Sequence, residues 1–407
     1  MREAFYEACG RRWPGTLFEA YDLLATRIAE PSEIEAIWTA ASAVAVIYER
    51  TLRLIERAPA QLLLALGMTR EVVNVLMHVP SWSSFPIIAR LDLVAIEGVY
   101  KMLEINCDSP GLLVETFAVN AAACAFESLE NPNASGPARL AQAYGDAVEG
   151  CSGNGTAKPP NTVIAYSASM SGDRDAAIYL SDLLTASGTP ARAEALSEMV
   201  GNDAGIYDAC GRTVDALINV FPLRYLFRGG VRRSLDGRPL DATMWSRLIA
   251  QRQVTIVNPL SSCVLESKAV QALIWELYEA HEYFTETERA LIASHMLPTY
   301  LEPDPSGSFV LKPAFGSGGD SVVVSDGTRR FTSSGSTYAE GHMVYQQLVP
   351  VPNTVVATEA GVMELNAVAS CYLVSQAPAG VIFRYGTGIT NNSWWVVPVA
   401  TAQGAGA

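Results

Sequence analysis

Hydrophobic and polar positions change period more than once along the chain. Up to about residue 80 the spacing is helical. Phe18-Glu-Ala-Tyr-Asp-Leu-Leu-Ala-Thr-Arg-Ile28 repeats apolar residues every three to four positions, Pro31-Ser-Glu-Ile-Glu opens another helix, and Ile55 to Leu66 continues the pattern. From Arg90 the period drops to two. Arg90 and Asp92 alternate with Leu91 and Leu93, a turn is expected at Glu97-Gly98, and Lys101-Met-Leu-Glu-Ile-Asn106 alternates again. Side chains two apart on a strand share a face, so Glu104 and Asn106 are expected to point one way, and Leu103 and Ile105 the other. Leu112 to Leu129 is an alanine-rich apolar run, expected as a buried helix starting near Pro110. Asp108 and Ser109 then fall at or before its N-terminus, where a cap or an anion contact belongs; the cap is the simpler reading for Ser109.

A loop at Asn131-Pro-Asn-Ala-Ser-Gly-Pro, a helix to about Glu149 and a linker at Ser152-Gly-Asn-Gly-Thr-Ala-Lys-Pro-Pro close the first region. Beyond them the texture is α/β. Thr162–Tyr166, Pro190–Glu194 and Val214–Val220 read as strands and Asp173–Ser187 as a helix, which together predict a small parallel sheet. Ser167–Arg174 leaves the C-terminal end of a strand, the place of a ligand loop or of a plain connection. A third region is expected to begin at Thr255-Ile-Val-Asn-Pro, with a helix over Glu266–Tyr278 and a capping box at Thr285-Glu-Thr-Glu. It continues as strand, glycine loop and strand from Ser308 to Val324, a strand from Met343, and two more strands near the end. The expected division is 1–150, 151–254 and 255–407.

Composition narrows the function classes. Of 407 residues, 49% are hydrophobic and 17% charged, as in a globular protein with real cores, and the net charge of −14 disfavours a nucleic-acid or anionic-membrane partner. Seven scattered cysteines without a CxxC pair read as reduced thiols, and four histidines without HExxH disfavour a histidine metal site. The N-terminus has no apolar signal core and no stretch reaches ~18 apolar residues, so the expected location is cytoplasmic.

Candidate chemistry sits in two places. If the arms of the hairpin pair, Asp92, Glu104 and Asn106 converge with Arg90 beside them, an all-oxygen set suited to Mg²⁺. An amphipathic hairpin with a solvated polar face fits the same alternation. Some two hundred residues later, Lys312 leads into Gly316-Ser317-Gly318-Gly319, where backbone N–H groups can approach a polyphosphate without a Cβ in the way. A solvated lysine before a glycine turn is the competing reading there. The loop is neither a Walker motif nor a GxGxxG opening a helix. The extended Val349-Pro-Val-Pro segment leaves backbone groups free for an adenine edge.

Taken in order, Arg90-x-Asp92, Glu104-x-Asn106-x-Asp108-Ser109, Glu266-Ser-Lys268-Ala, Leu311-Lys312-Pro before the glycine loop, and Tyr345-Gln-Gln-Leu348 resemble the ATP-grasp synthetase domain of glutathionylspermidine synthetase and its relatives, from about residue 80 to about 390. The resemblance implies an α/β (α+β) ATP-grasp fold in circularly permuted order, carrying an inserted parallel α/β domain and a helical N-terminal region. It implies ATP and Mg²⁺, two ions in all, as cofactors. Asp92, Glu104 and Asn106 would hold metal, Arg90 would neutralise the transferred phosphate, and Lys268 and Lys312 would meet ATP. Gly316, Ser317, Gly318 and Gly319 would close over the phosphates, and Gln347 and Leu348 would border adenine. Asp108, Ser109, Glu115 and Arg384 are the implied substrate contacts. The reaction so implied activates a carboxylate as an acyl phosphate and joins it to an amine; both substrates are small molecules, and a homodimer is compatible with it. A small-molecule kinase and a catalytically silent ATP-binding scaffold are the alternatives. The glycine loop lacks the arginine usual in the polyamine-ligating members, and the fused cysteine amidase domain of some members is absent, so no hydrolytic half-reaction is expected. Glutathione and spermidine are therefore disfavoured. The α/β region at 162–220 resembles the substrate domain of other ATP-grasp ligases and points to an amino acid or peptide acid as donor.

Overall fold

The structure, a computed structural model, describes residues 26–401 except 80, 81, 83, 152–158, 235, 303–306, 334, 339, 340, 359 and 360, together with 5, 9 and 12–14. Most of the helix expected over Phe18–Ile28 and of the linker at 152–160 lies outside the described residues. Where that first helix was expected to end, Arg27–Ala29 is instead a strand, paired in parallel with Val399–Thr401.

The central element is a six-stranded antiparallel sheet. Its strands run in the order Trp395–Val397, Ala377–Gly386, Gly361–Val374, Ile88–Ile96 and Val99–Asn106, with Asn353–Thr358 pairing the start of Gly361–Val374. Leu91, Leu93, Ile105, Cys371 and Phe383 belong to one buried apolar core with the helix Pro31–Ile55. That helix begins with proline, whose missing N–H costs nothing in a first turn. Its Ile37, Val44, Tyr48 and Leu52 recur at intervals of four and seven and are at most 1% exposed. Each such side chain contributes about 1.5–3 kcal/mol by leaving water, which is what fixes the helix against the sheet.

A five-stranded antiparallel sheet (Thr299–Tyr300, Met343–Gln347, Ser308–Pro313, Val323–Asp326, Arg330–Thr332) stands beside the first, joined to it through the helix Lys268–Glu279. The expected parallel sheet is present as Thr255–Ile256, Ala216–Asn219, Thr162–Tyr166 and Ala191–Ala195. Thr255–Ile256, expected to open the third region, is an edge strand of this sheet, because Thr255 and Ile256 pair with Ala216 and Leu217. The helix expected from Pro110 begins later. Leu112 takes φ +71°, and a wide π-type turn over Glu115–Val119 precedes the regular helix Asn120–Glu127, so Ser109 caps nothing. The capping box at Thr285 and Glu288 is formed as expected. All seven cysteines are free, and no described helix is long and apolar enough to cross a membrane.

Candidate active site

The hairpin closes through Glu97 (φ +51°) and Gly98 (φ +83°), a two-residue turn whose positive φ values suit glycine at the second position. Arg90 then faces Asn106, and Asp92 faces Glu104. Past that pair the register slips: Leu93 faces Met102, which leaves Leu103 as an extra residue. The expectation that Leu103 shares a face with Ile105 is therefore corrected. Met102, 1% exposed, packs there with Leu93, and Leu103 is only half-buried. Its carbonyl is met by side chains instead: Gln346 Nε2 donates at 3.0 Å, Gln271 Nε2 at 3.4 Å and Lys312 Nζ at 3.5 Å.

On the polar face the Arg90 guanidinium donates to both oxygens of Asp92 at 3.0 Å, and its third nitrogen donates to the Gly111 carbonyl at 2.9 Å. Asp92 also accepts from Ser370 Oγ at 2.7 Å and Asn106 Nδ2 at 3.5 Å, with Arg384 Nη1 at 3.7 Å. Burial disfavours the charged guanidinium of Arg90, but Asp92 outweighs it and raises the pKa; for Arg384 burial wins and the pKa is lowered. Glu104 meets Lys268 Nζ at 3.2 Å. Burial alone would raise the Glu104 pKa, yet Lys268, Lys312 and Arg90 together hold it far below the usual carboxylate range. Lys312 donates to Gln346 Oε1 at 2.7 Å, and burial lowers its pKa to about 8.

Lys268 opens its helix. Its backbone N–H donates to the Ala314 carbonyl at 2.9 Å, and Ser267 caps the helix by accepting from Ala269 N at 3.2 Å, so this lysine and the root of the glycine loop are tied together. Gly318 (φ +62°) and Gly319 (φ +73°) are required as glycines. A Cβ on Gly318 would meet the Asn392 side chain at 2.8 Å, and one on Gly319 would meet the Thr390 carbonyl at 2.3 Å. The loop thus leans on the segment that Arg384 reaches by donating to Asn391 O at 2.8 Å.

Arg90, Asp92, Glu104, Asn106, Lys268, Lys312 and Arg384 are therefore brought into one contiguous network. Gln347 is not. Lys312 and Gln346 lie on the inner face of their sheet, and alternation turns Gln347 out to solvent, while Leu348 is half-buried beyond the strand and Ser317 is exposed. Sequence reasoning missed Gln346, Gln271 and Ser370. Placing Lys312 opposite Val344 would have identified Gln346, two residues on; the other two carry no local signal. Asp108 is buried away from this face. It accepts from Leu223 N at 2.8 Å, Ser262 Oγ at 3.4 Å and Cys263 Sγ at 3.4 Å. Burial, with Glu266 nearby, raises its pKa to about 7. Glu115, half-buried, is likewise raised to about 7, by burial first and Asp175 weakly, against the pull of Arg90. Ser109 is half-buried and has no side-chain hydrogen bond among the described residues. The Ser167–Arg174 segment leaves the parallel sheet with Ser167 and Ser169 hydroxyls 2.9 Å apart.

Among the described residues no three His, Cys, Asp or Glu side chains gather as a metal cage. Two carboxylates and one amide oxygen, from Asp92, Glu104 and Asn106, are the hard-donor set available. It fits a Mg²⁺ that keeps several waters and is completed by phosphate oxygens. The four surrounding cations exceed the two carboxylates by two charges, and that surplus fits a bound polyanion.

The family model described as glutathionylspermidine synthase preATP-grasp matches residues 23–401. No curated protein sequence matches the chain. Among solved structures, a glutathione synthetase-like effector from Globodera pallida in its apo form aligns with a TM-score of 0.57 at 10% identity, over 93% of this chain and 90% of that one. A putative gamma-glutamylcysteine synthetase from Methylobacillus flagellatus aligns with a TM-score of 0.43 at 10% identity, over 92% and 87%. The first of these shares the fold.

Proposed function

This chain belongs to the glutathionylspermidine synthase preATP-grasp family, and on that premise we propose that it is an ATP- and Mg²⁺-dependent ligase joining a small-molecule carboxylate to an amine. The observation that carries the reading is the buried convergence of Arg90, Lys268, Lys312 and Arg384 on Asp92 and Glu104 beneath a glycine loop. The order along the chain, carboxylates before lysines, supports the circularly permuted arrangement. The proposed units are 1–150, 151–254 and 255–407, with the boundary before the third moved past Thr255–Ile256, which belong to the parallel sheet of the second, and with the second serving the substrate.

In this reading Asp92, Glu104 and Asn106 would hold Mg²⁺, and Lys268, Lys312, Gln346 and the backbone of Gly316–Gly319 would hold ATP. The nucleotide supplies the phosphoryl group that activates a carboxylate as an acyl phosphate. The chain supplies position and charge. Arg90 and Arg384 share Asp92; with that carboxylate holding metal, the two guanidinium groups would be free to face the negative oxygens on which charge accumulates. Lys268 would meet phosphate in place of Glu104 in the same way. The positive charge is thus already in place, balanced internally until substrate arrives. The glycine loop, packed against residues 390–392, would keep water from the activated carboxyl group. Glu115, whose carboxyl feels the charge of Arg90 and is pushed up to about 7 by burial, would accept a proton from the incoming ammonium.

Phosphate release measured over a grid of amino acids, short peptides and amines tests the reading. An ATP- and Mg²⁺-dependent amide product with stoichiometric phosphate is expected. A phosphoester, or no release across the grid, would overturn it.

A further inference from the structure

The two lysines of the network are held in different ways. Lys268 meets a carboxylate, Glu104, at 3.2 Å, and its charge is balanced there. Lys312 is held by neutral oxygens: its ammonium donates to Gln346 Oε1 at 2.7 Å and to the Leu103 carbonyl at 3.5 Å. Glu104 and Asp92 attract it from farther away, and Lys268 repels it. An ammonium carries three hydrogens, so one remains for a ligand, and neutral partners leave its charge undiminished.

What fixes Gln346 is a second amide. Gln271 stands three residues beyond Lys268 on the same helix, and both glutamines are 2% exposed. Gln346 Nε2 spends its two hydrogens on the Leu103 carbonyl at 3.0 Å and on Gln271 Oε1 at 3.4 Å. Gln271 Nε2 donates to the same carbonyl at 3.4 Å. The extra residue at Leu103 thus supplies the oxygen on which both amides are anchored. Rotated by half a turn, the Gln346 amide would set its oxygen against two acceptors and its N–H groups against the Lys312 ammonium. Buried polar atoms without partners are costly, so the two amides hold each other in one orientation. Gln271 lies in an otherwise apolar stretch, Ala269 to Leu273, where a methionine would avoid the desolvation an amide incurs.

We propose that Gln271 is a positioning residue for ATP: it locks the Gln346 amide with its oxygen towards Lys312, which aims the ammonium at the nucleotide. This rests on the ATP-dependent ligase reading. Gln271 acts through Gln346 and makes no contact with the nucleotide itself.

The test is a double-mutant cycle on the full chain, with Mg²⁺ and ATP, read by calorimetry. Gln271→Met keeps the length of the side chain and removes both polar atoms. In the wild-type background it is expected to weaken ATP binding about three- to tenfold. In the Lys312→Ala background the same change is expected to matter by less than about 1.5-fold, because the group it positions is gone. Where phosphate release can be followed, KM for ATP should rise by the same factor as the dissociation constant, with kcat within about twofold of wild type. A merely structural role would weaken both backgrounds equally and lower kcat. Should Gln271→Met fail to fold, Gln271→Asn, polar but one methylene shorter, takes its place in the cycle. Unchanged ATP affinity on substitution of Gln271, or equal losses in the two backgrounds, would overturn the assignment. ATP binding without phosphate release on any substrate pair sinks the ligase reading alone, and the cycle still decides the relay. No ATP binding by the wild type sinks both.

Discussion

Two aspartates sixteen residues apart, Asp92 and Asp108, are almost equally buried, 3% and 2% exposed, and their surroundings are opposite. Asp92 is met by two guanidinium groups, a hydroxyl and an amide. Asp108 receives a backbone N–H, a hydroxyl, a thiol and an amide, with Glu266 close enough to repel it. Glu266 itself is used structurally, accepting from Cys107 N at 2.6 Å and Asp108 N at 3.1 Å. Burial therefore does not separate the carboxylate proposed to work from the structural one; the kind of partner does. Cations, which metal and phosphate would replace in the proposed reaction, surround the first. Neutral donors fixed by the backbone mark the second.

Substitutions separate the two regions, and the largest effect belongs to Asp92. Asp92→Asn keeps the shape but removes the charge that holds Arg90 and would hold metal. Turnover is expected to fall by about 10²–10³-fold or more, with the far-ultraviolet circular dichroism unchanged. Activity within about twofold of wild type would remove Asp92 from the site. Lys312→Ala is next: ATP should bind about 10–100-fold more weakly by calorimetry, as for a lost charged hydrogen bond. The same lysine gives a pH signature. In the free protein it loses its proton as the pH rises through about 8, so ATP affinity should decline above that value and binding should take up a proton there. Comparing heats of binding in buffers of different ionisation enthalpy measures that uptake.

The Asp108 region should respond in stability. Its folded pKa of about 7 lies above the ordinary 3.8, so its contribution is fully present below the unfolded value and is lost as the pH climbs towards and past 7. Asp108→Asn, which cannot ionise, should flatten the fall in stability between about pH 4 and 7, read by urea unfolding at several pH values. An unaltered slope would show that Asp108 is not the group responsible. The smallest effect is expected from Ser370→Ala. It removes one hydroxyl donor at 2.7 Å from Asp92, worth about 1 kcal/mol, and should lower turnover by a few-fold without altering the pH profile.

Much of the Asp92 side was legible in the sequence, because alternation is a local property. Arg90, Asp92, Glu104 and Asn106 share a face for the reason their spacing suggested, and the turn fell where Glu97-Gly98 placed it. Lys268 could be placed at a helix start, but its partnership with Glu104 spans more than 160 residues and depends on how the two sheets pack. Gln346 does not stand out in the sequence, because its place beside Lys312 depends on the register between the two strands. The Asp108 side was opaque for a related reason. Its partners come from residues 219–223 and 262–263, and neither segment shows a pattern that points to an acid. The cap assigned to Ser109 failed because Leu112 takes a left-handed conformation and the helix starts past it.

The extra residue at Leu103 makes the second arm of the hairpin sensitive to parity. From Asn106 back to Glu104 the strand keeps one phase, and from Met102 back to Tyr100 it keeps the other. Almost any side chain is tolerable at 103, since only its carbonyl is used by Gln271, Gln346 and Lys312. Deleting the position is another matter. One arm would have to turn over, presenting either Glu104 to the apolar core or Met102 to the polar face that carries Asp92. Among viable sequences this position should therefore vary freely in letter and never in length.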